Sequence, residues 1–459
     1  MRTLDQILTK KDYSRKTPAS LFYRDSPLWQ KLLTIGCVVF LSVAGLGEWK
    51  PINSAVGGLP KAVALGVIGL AVLYALFYPD EKRFREIWKP TLLYMSLMVA
   101  LFFWSIVIWI ESFAAVSSMI RSCSKLVFQS IAILTAIALV YLFREKAIEL
   151  FTISICITNT AIMLMSVPGY GVAASLQSLI TCLVTFGDAD GYALQLEIHD
   201  LTFVFGQMVL YYTVFAPHDT RQEKRKRRRY LLACCWFFLV GMKRSAIPAV
   251  LLFVLIALFF RKRKVPSWVY PTVGGCCILF FLAFLYCVRN GIISRLLNSV
   301  GVDMMGRDYL WSMANPYYEL SITYFGHGFE YVDTIISQWY DAGLINQPFP
   351  FHNDILKVFV EMGFPGFLLW SGIQYVLTPL FWQRYADQQT TLLYLCELGY
   401  MTVTYLTDNT AFYFWSTMAL RLVTLAYAME RKKPPKPKVW MPDSRQEMRD
   451  RIHILMQEG

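Results

Sequence analysis

The chain carries little charge for its length. Asp, Glu, Lys and Arg together make up 17% of its 459 residues, against about 25% in a soluble globular protein. Hydrophobic residues make up 56%, and apolar runs of about 20 residues, the length of a bilayer-spanning helix, recur along the chain. These features exclude a soluble enzyme, a secreted domain and a disordered chain. The sequence predicts an all-α polytopic membrane protein.

Metal-binding patterns are also missing. No C-x-x-C pair and no grouping of cysteine with histidine has the spacing of a metal site. Most of the ten cysteines lie inside apolar runs, where cysteine packs as a small hydrophobe. The first predicted outer loop, 49–58, holds no Asp or Glu, which leaves Asp188, Asp190 and Glu197 as the residues that could form an acidic cluster. We expect no metal and no other cofactor.

Basic residues are absent from 168–199 and crowded elsewhere. RQEKRKRRR occupies 221–229, RKRK occupies 261–264, and RKKPPKPK occupies 431–438. The positive-inside rule places these runs in the cytoplasm. No aromatic residues interleave with them, so we interpret them as topology determinants and expect no nucleic-acid partner.

These constraints predict about twelve transmembrane segments with both chain ends in the cytoplasm. Residues 168–199 are then an outer segment that dips into or lies on the membrane. The predicted segments are 32–48, 59–78, 91–110, 125–143, 148–167, 200–217, 230–241, 246–260, 267–288, 364–382, 391–407 and 411–429.

The segments define three regions of the chain. A cytoplasmic N-terminal arm covers 1–31, a transmembrane domain covers 32–429, and a basic cytoplasmic tail covers 430–459. One long extracytoplasmic loop interrupts the transmembrane domain at 289–363, and its last part, 352–363, is predicted to be amphipathic.

The stretch 230–260 must cross the membrane twice, because basic runs flank it on both sides. Gly241 and Pro248 interrupt it, and both are natural helix breakers. Two short helices therefore meet near Lys243 and Arg244 at the outer side. A cation at membrane depth is costly and by default marks a functional site, and a guanidinium group suits phosphate. The structural alternative is snorkelling to the interface or pairing with a buried carboxylate.

Three of the five histidines, His199, His327 and His352, fall on the predicted outer side. A neutral imidazole is a natural general base near neutral pH. His352 precedes a helix just outside the next span, so it can face the membrane–water boundary. Capping or packing is the structural alternative for His352, and a structural role in an exposed turn is favoured for His327, which lies between two glycines.

The loop carries a series of motifs in a fixed order. They are Gly306-Arg307-Asp308-Tyr309-Leu310-Trp311, then Gly326-His327-Gly328, then His352-Asn353-Asp354 followed by Glu361, Gly363 and Gly366. This order resembles that of the O-antigen polymerase and O-antigen ligase superfamily, which includes the Wzy-type polysaccharide polymerases. The turn Val240–Ala246 resembles the Ser-Arg turn of that family, with Lys243 where serine is usual. The resemblance covers about 240–385, and the first half of the chain matches only in its hydropathy profile.

The resemblance implies glycosyl transfer at the outer face of the bacterial cytoplasmic membrane. The donor in such enzymes is a saccharide on undecaprenyl diphosphate, and the lipid diphosphate leaves as a sugar hydroxyl attacks, without a metal. His352 would then be the catalytic base, with Arg244 and Arg307 on the diphosphate and Lys243 and Asn353 as further substrate-binding residues. The implied partners are the undecaprenyl-diphosphate-linked oligosaccharide and membrane lipid, and the pathway allows a chain-length regulator and a flippase as well.

Two alternatives differ from a polymerase that joins lipid-linked repeat units. An O-antigen ligase uses the same chemistry but transfers the glycan to a lipid core. A transporter or flippase of lipid-linked sugars predicts charged residues in several spans and recognisable repeats. The unusual polar groups gather instead at one outer face, which favours an enzyme.

Overall fold

The fold is known from a computed structural model that describes residues 28–112, 116–185, 196–301, 304 and 306–431. The described residues form helices and connecting turns, so the predicted all-α class is confirmed. The predicted N-terminal arm up to residue 27, the tail from residue 432 onward, and Asp188 and Asp190 lie outside the described residues.

The helices follow the predicted segments closely. They are α1 (Leu28–Leu46), α2 (Lys50–Val56), α3 (Leu59–Ala62), α4 (Leu65–Phe77), α5 (Glu81–Ser112), α6 (Val116–Phe143), α7 (Ala147–Tyr170), α8 (Val172–Thr185), α9 (His199–Leu210), α10 (Arg221–Val240), α11 (Ala246–Phe260), α12 (Val269–Arg289), α13 (Ile292–Ser299), α14 (Arg307–Ala314), α15 (Tyr331–Asp341), α16 (Asp354–Gly372), α17 (Thr378–Tyr385), α18 (Gln388–Thr407) and α19 (Phe414–Arg431). A π-helical turn extends α9 through Tyr211–Phe215, and another, Ile373–Leu377, joins α16 to α17.

Several of these helices are long and apolar enough to cross a membrane. By length and composition, five helical stretches of the described chain qualify: Leu28–Leu46, Glu81–Ser112, Val116–Gly169, Val269–Arg289 and Asp354–Tyr385. Shorter apolar helices are Leu65–Phe77, Val172–Cys182 and Ala246–Phe260. The chain is therefore a multi-pass helical membrane protein, and the count of twelve segments stays a prediction.

The basic run 221–229 is helical and opens α10. Thr220 and Glu223 form a capping box, in which each side chain accepts a hydrogen bond from the other residue's backbone N–H. The helix ends at Val240 and the next begins at Ala246, so the break lies at the predicted position around Lys243 and Arg244.

Helices α11 and α18 pack antiparallel and fix the two ends of the bundle. At one end, the Gln389 side chain donates to the carbonyl of Arg261 at 2.6 Å. At the other end, the Thr407 hydroxyl lies 3.1 Å from that of Ser245. The turn with Lys243 therefore lies at the opposite end of the helix bundle from the RKRK run.

Charged groups are sorted between these two ends. We call the end with the RKRK run the basic end, and the opposite one the histidine end. The basic end holds Glu86, Arg144, Glu149, Lys226, Arg261, Asp387 and Arg431. The histidine end holds Glu48, Lys61, Glu197, Asp200, Lys243, His352, Asp354 and Asp408. The positive-inside rule predicts that the basic end faces the cytoplasm.

A kink in α16 anchors the long loop. Gly363 has φ 63° and ψ −173°, a conformation open to glycine. A Cβ atom there would lie 2.2 Å from the backbone of Phe325. The kink frees the carbonyl of Glu361, which accepts from the backbone N–H groups of His327 at 3.0 Å and Gly328 at 2.7 Å. Gly326-His327-Gly328 of the loop and Glu361 and Gly363 of the helix therefore form one contact between the loop and α16.

The stretch 352–363 differs from the amphipathic segment that the sequence suggests. Every residue from Asn353 to Gly363 is buried, including the charged Lys357 and Glu361. In the sequence, the charges of Lys357 and Glu361 resemble a polar helix face. In the structure, Glu330 and Asp333 of the loop pair with Lys357.

The orientation of the bundle can be tested by cysteine labelling in cells. We expect Arg244→Cys to react with a membrane-impermeant maleimide in intact cells, because its turn lies at the predicted outer end. Lys264→Cys at the basic end should react only after the membrane is permeabilised. The parent chain, with its ten native cysteines, sets the background signal. Labelling of Arg244→Cys only after permeabilisation would overturn the predicted orientation.

Candidate active site

The turn between α10 and α11 presents Lys243 and Arg244 differently. Lys243 Nζ lies 2.5 Å from Glu197 Oε1 and 3.8 Å from Asp408 Oδ2, and its side chain is 18% exposed. Arg244 is exposed, and the described residues give it no ion-pair partner. Lys243 thus neutralises buried acids, which was the structural alternative for this turn, whereas the Arg244 guanidinium remains open to a ligand.

His352 lies beside Asp408 at the same end of the bundle. Its Nδ1 atom is 3.3 Å from Asp408 Oδ1, and the two side chains are 21% and 8% exposed. The backbone of His352 is left-handed, with φ 48°, a costly conformation for a non-glycine residue that is enriched at functional sites. A carboxylate at Nδ1 orients the imidazole and leaves Nε2 free to accept a proton.

Asn353 and Asp354 organise the backbone around His352. The Asn353 side chain is fully buried and caps α16, accepting from the backbone N–H of Leu356 at 3.0 Å. Its Nδ2 atom is also buried and has no hydrogen-bond partner in the described part of the chain, and a substrate contact by Asn353 stays a prediction. Asp354 Oδ2 accepts from the backbone N–H of Ala411 at 2.7 Å and thereby fixes the loop that carries Asp408.

Arg307 is the first residue of α14 and is half-buried. One helical turn later, the indole N–H of Trp311 donates to the carbonyl of Phe351 at 2.9 Å. Phe351 directly precedes His352, so this bond holds the helix of Arg307 against the histidine segment. The described residues provide no carboxylate for Arg307 within ion-pair distance.

A buried ion cluster supports the site from the loop side. Lys357 Nζ lies 2.9 Å from Asp333, 3.4 Å from Glu330 and 3.8 Å from Glu361, and Lys125 lies 3.6 Å from Glu330. Burial and the neighbouring Asp333 raise the pKa of Glu330 despite the two lysines. Burial also disfavours charge on Asp333, but Lys357, a hydrogen bond with Glu330 and Lys125 outweigh it and hold the pKa of Asp333 below its usual range.

His327 has a structural role, as the sequence favoured, although it is half-buried rather than exposed. Its Nε2 atom lies 2.8 Å from the carbonyl of Tyr317, and its ring stacks on Tyr331 with centroids 4.2 Å apart. Burial lowers the pKa of His327 below 6.5, although the hydrogen bond to the Tyr317 carbonyl acts in the opposite direction.

The sequence reasoning missed Asp408. It lies where α18 ends and is buried at the histidine end. An acid at the junction of two apolar spans is a signal of function in itself, but nothing local links it to His352. Glu197, considered above only as a potential metal ligand, pairs instead with Lys243. Across the described residues, no three His, Cys, Asp or Glu side chains are grouped as a metal site.

Comparison with known proteins identifies the region that carries most of this site. Residues 230–371 match the family model Wzy_C, described as O-antigen ligase. This stretch is similar to an O-antigen ligase domain. Members of the family transfer lipid-linked glycans in surface-polysaccharide biosynthesis. A search of curated proteins finds no match to the chain.

The matched region confirms the sequence resemblance, drawn above over about 240–385. It contains Lys243, Arg244, Arg307, His352 and Asn353, and the structure joins Lys243 to His352 through Asp408. Both acids that contact Lys243 come from outside the matched region. The helices that flank the matched region therefore complete the charge balance of the site.

The burial of His327 predicts a pH effect on stability. Because its folded pKa lies below 6.5, the unfolded chain binds the proton first as the pH falls. The histidine's contribution is therefore present above pH 6.5 and is lost towards its folded pKa, by at most about 1.4 kcal/mol per pH unit. We expect thermal unfolding midpoints between pH 5 and 8 to fall less steeply on acidification in His327→Gln. Equal slopes in both proteins would contradict this assignment.

Proposed function

We propose that the protein is a surface-polysaccharide polymerase of the O-antigen, capsule or exopolysaccharide type. It transfers an undecaprenyl-diphosphate-linked glycan to a sugar hydroxyl of a second lipid-linked repeat unit, at the outer face of the cytoplasmic membrane. The observation that carries the proposal is the pairing of His352 with Asp408, 3.3 Å apart. Asp408 also contacts Lys243, and the exposed Arg244 is the next residue in the chain.

In this mechanism His352 Nε2 accepts the proton of the acceptor hydroxyl. The hydroxyl oxygen attacks the anomeric carbon of the donor, and the bond from that carbon to the diphosphate breaks. Both bonding electrons leave with the lipid diphosphate, whose negative charge must be stabilised. Asp408 holds the imidazole and stabilises its protonated form, as expected for a carboxylate next to a catalytic histidine.

The basic residues of the site have different roles in this mechanism. Arg244 and Arg307 bind the diphosphate through their guanidinium forks, because neither is engaged by a described carboxylate. Lys243 already contacts Glu197 and Asp408, so we assign to it the neutralisation of the site and a secondary contact to the substrate. Asn353 is buried, so we assign to it the capping of α16 next to His352.

An O-antigen ligase is the second candidate, and the description of the matched family favours it. It uses the same residues and differs in the acceptor, a lipid core. We favour the polymerase because the family match stops short of residues 1–229, and a divergent first half suits a polymerase whose repeat unit differs from that of its relatives.

His352→Ala is expected to abolish glycan elongation, with a loss of about 100-fold or more in rate, because proton transfer by a positioned base contributes that much. Asp408→Asn should also lower the rate, since it leaves the imidazole without its carboxylate. The measurement is a gel ladder from protein reconstituted with an undecaprenyl-diphosphate repeat unit. His218→Gln, at the basic end, is the matched control and should elongate normally. Normal chain length in His352→Ala would remove its catalytic role.

The same assay separates the candidate functions. A ladder formed with the repeat unit alone, with release of lipid diphosphate, supports the polymerase. Consumption of the donor only after a lipid core is added would make the protein a ligase. Movement of the donor across the vesicle membrane without turnover would indicate that the protein is a transporter.

Arg244→Lys and Arg307→Lys should each lower activity by about tenfold or more, because a point charge cannot replace a bidentate fork. Arg295→Lys is the control, since Arg295 is an exposed arginine of the same loop. The readout is donor consumption at several donor concentrations. Full activity of Arg307→Lys would indicate a packing role for that residue instead.

A further inference from the structure

A separate cleft lies at the basic end, between α5 and α17. Its volume is about 440 Å³, and it is lined by Glu81, Lys82, Arg85, Glu86, Lys89 and Tyr385. The Tyr385 hydroxyl donates to the carbonyl of Glu86 and joins the two helices at the cleft. The mechanism proposed above uses none of these residues.

The charges of the cleft are only partly balanced. Arg85 pairs with Glu81 at 2.6 Å, and Arg144 pairs with Glu86 at 2.7 Å. Within the described chain, Lys82 and Lys89 have no carboxylate within ion-pair distance. These two exposed lysines are seven residues apart, so they share one face of α5 about 10 Å apart along its axis.

Aromatic residues of α5 near the cleft indicate where it lies relative to the membrane surface. Phe84 and Trp88 stack with centroids 5.7 Å apart, and they are 55% and 48% exposed. Exposed aromatic side chains at the end of a spanning helix are typical of the membrane–water interface. From Pro90 onward α5 is apolar, so Lys82 and Lys89 lie at the level of lipid headgroups.

We propose that this cleft binds the headgroup of an anionic phospholipid through Lys82 and Lys89. The two ammonium groups contact phosphate oxygens, and Arg85 adds a third cation. Basic pockets between membrane helices on the cytoplasmic side are typical sites for such lipids. The headgroup level of the cleft favours a lipid over a free phosphate ion.

The test compares two double variants that remove the same charge. Lys82→Gln/Lys89→Gln empties the cleft of its unpaired cations. Lys262→Gln/Lys264→Gln removes two exposed lysines of the same end that do not line the cleft. Purified full-length proteins in neutral detergent are titrated with cardiolipin, and bound lipid is counted by native mass spectrometry. We expect the apparent Kd to rise by about tenfold or more in the first variant and by less than about twofold in the second.

Three results would overturn the proposal. Equal weakening in both double variants would mean that the basic end attracts lipid only through its overall charge. Equal binding of phosphatidylcholine would remove the role of lipid charge. Complete displacement of cardiolipin by millimolar inorganic phosphate would identify a site for a free anion. Glycan transfer is not read in this assay, so its outcome is independent of the function proposed above.

Discussion

The histidine end depends on the ion pairs that the buried ammonium group of Lys357 makes. Lys357 lies on the first turns of α16, directly after His352, and contacts acids from α15 and from its own helix. Removing such a charge would leave several buried carboxylates without a counter-ion, which is among the costliest changes a protein interior can suffer. Lys357 joins α16 to the loop, and Lys125 of α6 pairs with Glu330 of the same cluster, so the cluster holds the loop, α16 and α6 together.

His352, Asn353 and Asp354 are consecutive, and all three help to position the imidazole of His352 and its partner Asp408. His352 faces Asp408, Asn353 starts the helix, and Asp354 holds the backbone of the loop that supplies Asp408. The three residues thus position both the imidazole and its carboxylate partner, although the partner lies far away in the chain. Because the three residues are adjacent, one short segment positions both members of the His352–Asp408 pair.

Much of the architecture could be predicted because its signals are local. Hydropathy and the basic runs located the helices and the break at Lys243 and Arg244, and an asparagine before an apolar run is a recognisable cap signal for Asn353. The partnership of His352 with Asp408 could not be predicted, since it depends on how the end of α18 packs against the start of α16. The burial of Lys357 and Glu361 was hidden for the same reason: four-residue spacing of opposite charges is equally typical of a solvated helix face.

The backbone break at Gly363 has a consequence for how such a protein can diversify. The acceptors it frees are carbonyl groups, and the donors that use them are backbone N–H groups of the G-x-G turn and the indole of Trp104. An attachment built from main-chain atoms on the loop side depends little on the side chains between Arg289 and Tyr324, apart from those that the site itself uses, such as Arg307 and Trp311. The other side chains of that stretch can therefore change to suit a different sugar while the backbone contact between loop and helix stays in place.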